Sequence, residues 1–330
     1  MKWLLRGLAL LLLLAVIGFA VFRVPDTDPA RMRAKYGGEP SQFVRIGDEA
    51  EFHLRDEGPR GALPVVLLHG SNADLHTWQP WVDRLKNEYR VIRYDQRGHG
   101  LTGALPIGDY SPEAFTSDVE AIRRKLGLER FVLAGNSMGG GVAARYAMEH
   151  PENVAGLVLI DAVGAPIDRE GGGNLAFTLA RMPGIGAALS QLLPRSLVER
   201  SLSQSVSNQA VVTDAAVDRY WELARYPGNR AATRARFTAP RDDFDEDAVR
   251  AIDMPVLVMW GKEDALIPYE AAGWYMERLP QATLAAYDGI GHLPMEEAAE
   301  RSAGDLRRWL RTMVNRPVAT LDSDGVTGER

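Results

Sequence analysis

The sequence predicts an α/β fold with a mostly parallel central sheet flanked by helices. Three features carry that reading. Short continuous apolar runs recur, helical patterns separate them, and one long interval, 164–250, lacks such runs. Pro64–Leu68 (PVVLL) reads as a strand buried on both faces. Trp78–Lys86 follows as a helix and Arg90–Tyr94 as a strand. Ser111 and Pro112 supply an N-cap and a first-turn proline, so a helix runs from there to Leu126 and stops at Gly127. Phe131–Ala134 is the next strand, Met138–Glu149 a helix and Gly156–Ile160 (GLVLI) another strand. Alternation of this kind implies parallel βαβ units.

The interval 164–250 instead offers a flexible Gly171–Gly173 run, helical patterns at Ser196–Ser205 and Asp214–Tyr226, and an acidic stretch at 242–247. Strand character resumes at Pro255–Trp260 (PVLVMW) and Ala282–Tyr287, followed by a helix over Glu297–Val314. A core of 44–163 and 251–314 is therefore expected, interrupted by a mostly helical insert at 164–250 and trailed by a polar tail at 315–330. The length of 330 residues alone suggests two domains; the element order favours one split domain.

The chain begins with Trp3–Phe22, twenty residues with a single charge, Arg6. As a helix this spans ~30 Å, the thickness of a bilayer core. It reads as a retained membrane anchor, as a signal segment cleaved near Gly18 and Ala20, or as a buried soluble helix. The lack of an A-x-A pattern and the continuation through Val21 and Phe22 favour the anchor. Lys2 and Arg6 would stay cytoplasmic and the body outside, although Arg31, Arg33 and Lys35 beyond the segment dilute that charge bias. Cleavage would give a secreted protein instead. Residues 25–43, with three prolines and Gly37–Gly38, read as a tether.

The formal net charge is −6. Residues 1–24 hold three basic side chains and no acid, which leaves 35 basic against 44 acidic in the remainder, a body of −9. Such a body has no basic footprint for nucleic acid and no charge attraction to anionic lipid. With no cysteine, disulfides, thiolate metal sites and a cysteine nucleophile are excluded. Neither G-x-x-x-x-G-K-[ST] nor H-E-x-x-H occurs, and no cofactor or metal is expected.

Gly135-Asn136-Ser137-Met138-Gly139 fits G-x-S-x-G between a strand and a helix, the setting in which a serine is lifted off a sheet as nucleophile. A serine needs a base and a group to hold that base. His292, in Gly289-Ile290-Gly291-His292 past the last strand, is the expected base. Asp264, in Gly261-Lys262-Glu263-Asp264 after PVLVMW, is the expected third member, with Glu263 and Asp161 as alternatives. The oxyanion donors are expected at the backbone N–H groups of Met138 and Ser71. His69 and His99 are expected to shape loops rather than titrate, and His53, His76 and His150 to lie at the surface or bond locally.

Taken together, HGS at 69–71, DQRGHG at 95–100, GNSMGG at 135–140, GKEDALIP at 261–268 and GIGHLPMEE at 289–297 resemble the α/β-hydrolase superfamily over about 44–314. Serine at 137 disfavours the members with aspartate at the elbow. GNSMGG and HGS are similar to the carbon–carbon bond hydrolases of aromatic-ring breakdown, but Asn72-Ala73-Asp74 departs from their glycine-rich continuation. An N-terminal apolar segment ahead of the domain is similar to membrane-anchored lipases and esterases. The resemblance implies a serine hydrolase of small-molecule or lipid-like carboxylic esters. Alternatives are hydrolysis of a ring-fission diketone, a cofactor-free perhydrolase or haloperoxidase activity, and a non-catalytic binding module. Phe177, Leu179, Met182, Leu189, Leu192, Leu193, Tyr220, Trp221 and Phe237 are cap residues that either line a pocket or pack the cap.

Overall fold

The computed structural model describes residues 2–47, 50–167, 184–239 and 243–314. The expected tail at 315–330, Gly171–Gly173, and Phe177, Leu179 and Met182 lie outside the described residues. Eight strands form one sheet: β1 (Ser41–Ile46), β2 (Ala50–Glu57), β3 (Pro64–Leu68), β4 (Arg90–Tyr94), β5 (Phe131–Asn136), β6 (Val154–Ile160), β7 (Val256–Gly261) and β8 (Ala282–Tyr287). Their order is β1-β2-β4-β3-β5-β6-β7-β8. The β1–β2 and β2–β4 pairs are antiparallel, and every pair from β4 to β8 is parallel.

The apolar runs are continuous because both sheet faces are covered. Val66 and Leu68 of β3 enter one apolar cluster, while Val65 and Leu67 enter the other. The first cluster takes in α4 (Pro112–Leu126) through Phe115, Val119 and Ile122, and α5 (Met138–Glu149) through Val142, Ala143 and Ala144. The second takes in α3 (Gln79–Leu85) through Trp81, Val82 and Leu85. α4 starts and stops where the sequence says it should. The Ser111 hydroxyl accepts from the Ala114 N–H at 3.3 Å, Pro112 opens the helix, and Gly127 closes it at φ 63°.

The first two strands carry no continuous apolar run: β1 is nowhere fully buried, and β2 sends Phe52 and Leu54 into the core between polar residues, with its acids paired to β4. In β2, Asp56 receives two hydrogen bonds from Arg90, at 3.0 and 2.8 Å, and Glu57 receives Arg93 at 2.8 Å. His53, expected at the surface or in local bonding, is fully buried. Its Nδ1 lies 2.7 Å from Asp95 Oδ2 and its Nε2 2.8 Å from Ser41 Oγ.

The apolar start forms α1 (Lys2–Phe22). Within it, Leu5–Phe22 is long and apolar enough to cross a membrane, with a mean hydropathy of 2.5 and no part buried in the protein. The segment read as a tether contains α2 (Pro29–Tyr36), opened by the Asp28 side chain on the Arg31 N–H. It is bonded to the segment between β6 and β7. Val24 N–H donates to Gln191 O and Thr27 N–H to Arg225 O, both at 2.9 Å, while Arg230 donates to Val24 O at 2.8 Å. Among the described residues, the interval between β6 and β7 is helical and holds no strand. Its helices are α6 (Ile185–Leu189), α7 (Arg195–Ser205), α8 (Asp214–Ala224), α9 (Asn229–Thr238) and α10 (Glu246–Arg250).

Candidate active site

The strand order reverses direction at β3 and β5. From β3 the chain moves to β4 on one side, then returns to β5 on the other. A crevice opens beyond the carboxyl ends of strands at such a point. Ser71 follows β3, Ser137 follows β5, Asp161 follows β6, Asp264 follows β7 and His292 follows β8. The topology thus gathers residues far apart in sequence at one edge.

Ser137 sits between β5 and α5 at φ 55°, ψ −119°, a conformation that non-glycine residues rarely adopt. Its N–H donates to Ile160 O at 2.9 Å, and its carbonyl accepts from Gly141 and Val163, both at 3.1 Å. The turn is tight because glycines let backbone meet backbone. A Cβ at 139 would lie 2.3 Å from Leu68 O, and one at 135 would lie 2.1 Å from Gly139 O. Neither neighbour can yield, since each is main chain. Gly139→Ala is therefore expected to lower the unfolding free energy by about 3 kcal/mol or more. An unfolding free energy within about 1 kcal/mol of the parent, from denaturant titration, would contradict this.

His292 Nδ1 lies 2.6 Å from Asp264 Oδ2, and both residues are buried. The other oxygen, Asp264 Oδ1, accepts from the Leu266 N–H at 2.7 Å and the Ile267 N–H at 3.0 Å. Glu263, the alternative acid, is exposed and accepts from the Ile290 N–H at 3.1 Å instead. Asn136, beside the serine, donates from Nδ2 to His292 O at 3.0 Å, tying the serine strand to the histidine loop. The expected oxyanion donor Met138 is the first residue of α5, where helical N–H groups have no intrahelical acceptor. Ser71 follows Gly70, whose Cβ position would lie 3.2 Å from Ser137 Cβ.

His69 is buried with a fixed tautomer. Gln96 N–H donates to Nε2 at 3.0 Å, so the ring proton is on Nδ1 and points to Gly70 O at 2.8 Å. Burial holds this ring below the ordinary histidine range. His99 Nδ1 reaches Arg97 O at 2.9 Å, and burial depresses this imidazole further. Both rings therefore serve as neutral braces for the loops after β3 and β4.

One contributor escaped the sequence reading, and another was read only as an alternative acid. Glu297 clamps the histidine loop, accepting from Gly291 and Leu293 at 3.1 Å and from Ser207 and Asn208 at 2.8 and 3.0 Å. The acidic pair after His292-Leu293-Pro294 is the only sequence signal for it. Asp161 is fully buried at φ 44°, and its carboxyl lies within 4.8 Å of the Asp264 and His292 ligand atoms. Burial, reinforced by the Asp264 charge, pushes the Asp161 carboxyl well above the carboxylate range. The three residues are close enough to share a cation. His292 Nδ1, however, is already hydrogen-bonded to Asp264 at 2.6 Å.

The Asp161 proton has a stability consequence. The unfolded chain releases it near pH ~4, whereas the folded chain keeps it. Asp161 alone therefore contributes a stability that falls as pH rises above ~4, by up to about 1.4 kcal/mol per unit while the folded group stays protonated, against the opposite contributions of the neutral His69 and His99 below pH ~6.5. Asp161→Asn is expected to remove that contribution, so that in urea titrations the wild type loses stability relative to the variant as pH rises from 5 to 8. Parallel slopes for the two proteins would refute the assignment.

The sequence matches the family model described as alpha/beta hydrolase fold over residues 64–299. A non-heme chloroperoxidase of Streptomyces lividans is 31% identical over 255 residues, covering 76% of this chain and 92% of that protein. Among solved structures, a thermophilic esterase from Thermogutta terrifontis is 30% identical with a TM-score of 0.69, covering 82% of this chain and 99% of that one. A membrane phospholipase A is 25% identical with a TM-score of 0.71, covering 96% of this chain and all of that one.

Proposed function

The chain belongs to the alpha/beta hydrolase fold family, and from that premise we propose that it is a serine hydrolase of carboxylic esters, held at a membrane by α1. The observation that carries the proposal is the 2.6 Å contact of His292 Nδ1 with Asp264 Oδ2, beside a serine on a glycine-enclosed turn. In this reading Ser137 Oγ attacks the acyl carbonyl while His292 Nε2 takes its proton. The developing oxyanion is held by the N–H groups of Met138 and Ser71. His292 returns the proton to the leaving alcohol, and an acyl-enzyme remains on Ser137. Water, deprotonated by the same nitrogen, releases the acid and restores the hydroxyl. Asp264 keeps Nδ1 as the donor and stabilises the imidazolium.

The segment 164–250 acts as a cap over this edge in the proposal. His292 N–H is bonded to Ser205 O at 2.8 Å, and Thr233 reaches Asn72 at 2.8 Å, so the segment touches both the histidine loop and the loop after β3. The apolar α1, no part of its membrane-length stretch buried in the protein, supports anchoring, and Lys2 and Arg6 at its start favour a catalytic body outside the cytoplasm. A form secreted after cleavage is the outcome that membrane fractionation would reveal. The relatives include a chloroperoxidase and an esterase, so substrate class needs a direct test. Purified protein is offered p-nitrophenyl esters of two to twelve carbons, monoacylglycerols, a ring-fission diketone, and an acetate–peroxide mixture with a halogenation dye. Ester turnover exceeding the other two by at least a hundredfold supports the proposal; dominance of either alternative replaces it.

A further inference from the structure

Cap helix α9 carries a cation that the proposed mechanism leaves unused. Arg236 Nη2 donates to Asn72 Oδ1 at 3.3 Å and to Thr233 Oγ1 at 3.1 Å, and Nη1 lies 3.5 Å from Gly98 O. The Tyr110 ring centre is 6.0 Å from the guanidinium carbon. Nε is enclosed and has no hydrogen-bond partner. Each of these neighbours is formally neutral, and no carboxylate among the described residues lies within ion-pair distance.

The arginines elsewhere in the interior are treated differently. Arg90, Arg93, Arg97, Arg219 and Arg230 each pair with a carboxylate. Arg55 and Arg225 have no carboxylate at hydrogen-bond distance, but Arg55 lies in the field of Glu57 and Asp95, and Arg225 in that of Glu222 and Asp26. Only a tyrosine supplies any such field at Arg236, and burial lowers that guanidinium to about 10. The group therefore stays charged at neutral pH while partly stripped of water. An unpaired charge in that state is costly unless an anion completes it.

The position indicates which anion. Asn72, which Arg236 grips, is the residue after Ser71, the second oxyanion donor of the proposed mechanism, and it holds a left-handed turn at φ 61°. We propose that Arg236 is a specificity residue that binds a carboxylate or phosphate carried by the ester substrate, beside the loop that holds the reacting carbonyl. A planar guanidinium presents two parallel donors to either oxyanion. The acidic body offers no general attraction for anions, so any preference for them must be local. The inference rests on the ester-hydrolase reading, and its test separates the two.

Full-length protein in neutral detergent is assayed with p-nitrophenyl butyrate, mono-p-nitrophenyl glutarate and p-nitrophenyl 4-phosphonobutanoate. For the wild type, kcat/KM should be higher for at least one anionic ester than for the neutral one. In Arg236→Gln the anionic-to-neutral ratio should fall at least tenfold, mainly through KM, and Arg236→Lys should restore part of it. Whichever anionic ester loses more identifies the group recognised. Equal losses on charged and neutral esters would mean a structural role and overturn the proposal. Calorimetric titration of glutarate and inorganic phosphate into wild type and Arg236→Gln reads the site without turnover. A tenfold weaker affinity in the variant supports the inference even if no ester is cleaved, and equal affinities overturn it.

Discussion

Ser137→Ala is expected to lower kcat on a short p-nitrophenyl ester by about 10⁶-fold, as removal of a nucleophile that works as a unit with its base does. KM should move little, because the hydroxyl does not hold the acyl chain. No neighbouring group takes over. His292 is committed through Nδ1 to Asp264, and the chain has no cysteine. Ser137 adopts φ 55° at the turn, and a backbone held there stores about 1–3 kcal/mol. Ser137→Gly should therefore be as inactive as the alanine variant but more stable by about 1 kcal/mol, because glycine reaches that conformation without strain. Kinetics and denaturant melts on the two variants check this together. Residual ester turnover above one part in a thousand in both would place the nucleophile elsewhere. An unchanged or lower stability for the glycine variant would remove the strain argument alone.

Why that position could be read in the sequence is itself physical. Ser137, Asp264 and His292 each follow a strand, and each sits in a short run of glycine and polar residues that only a strand-end loop requires. The parallel strands were legible for a related reason, since two covered faces force continuous apolar runs. β1 and β2 were not, because they mix apolar and polar residues at the sheet edge, and the acids of β2, Asp56 and Glu57, find their partners, Arg90 and Arg93, on β4. No local pattern reports a partner more than thirty residues away. The same limit applies to Asp161. The sequence allows it as an alternative acid, but only the β6–β7 pairing places it against Asp264. The region 25–43 reads as loose from its prolines and glycines. In the folded chain the backbone from Val24 to Thr27 is bonded to α8, α9 and the turn before α7, whose positions depend on the whole fold.

Asp264→Asn is expected to lower kcat by about 10⁴-fold while leaving the fold intact, an effect of the size seen when such an acid becomes an amide. The structure gives the reason through hydrogen-bond direction. Asp264 Oδ1 accepts from two backbone N–H groups, those of Leu266 and Ile267. An asparagine must keep its single carbonyl oxygen on those donors, because turning the amide would set N–H against N–H. Its NH₂ then faces His292 Nδ1, 2.6 Å from where the carboxylate oxygen stood. Nδ1 must become the acceptor, so the ring proton moves to Nε2. The nitrogen that should receive the Ser137 proton is then already protonated. Binding is untouched, so KM should change less than threefold while kcat carries the loss. Because the defect is a trapped tautomer, raising the pH should recover activity only as hydroxide takes over the role of base. Asp161 does not substitute, since burial beside the Asp264 charge disfavours its ionised form and its Oδ1 is occupied by the Gly261 N–H at 2.9 Å. Steady-state kinetics from pH 6 to 10 on wild type, Asp264→Asn and Asp161→Asn provide the check. A loss in Asp161→Asn as large as in Asp264→Asn would make Asp161 the group that holds the imidazole and reverse the two assignments.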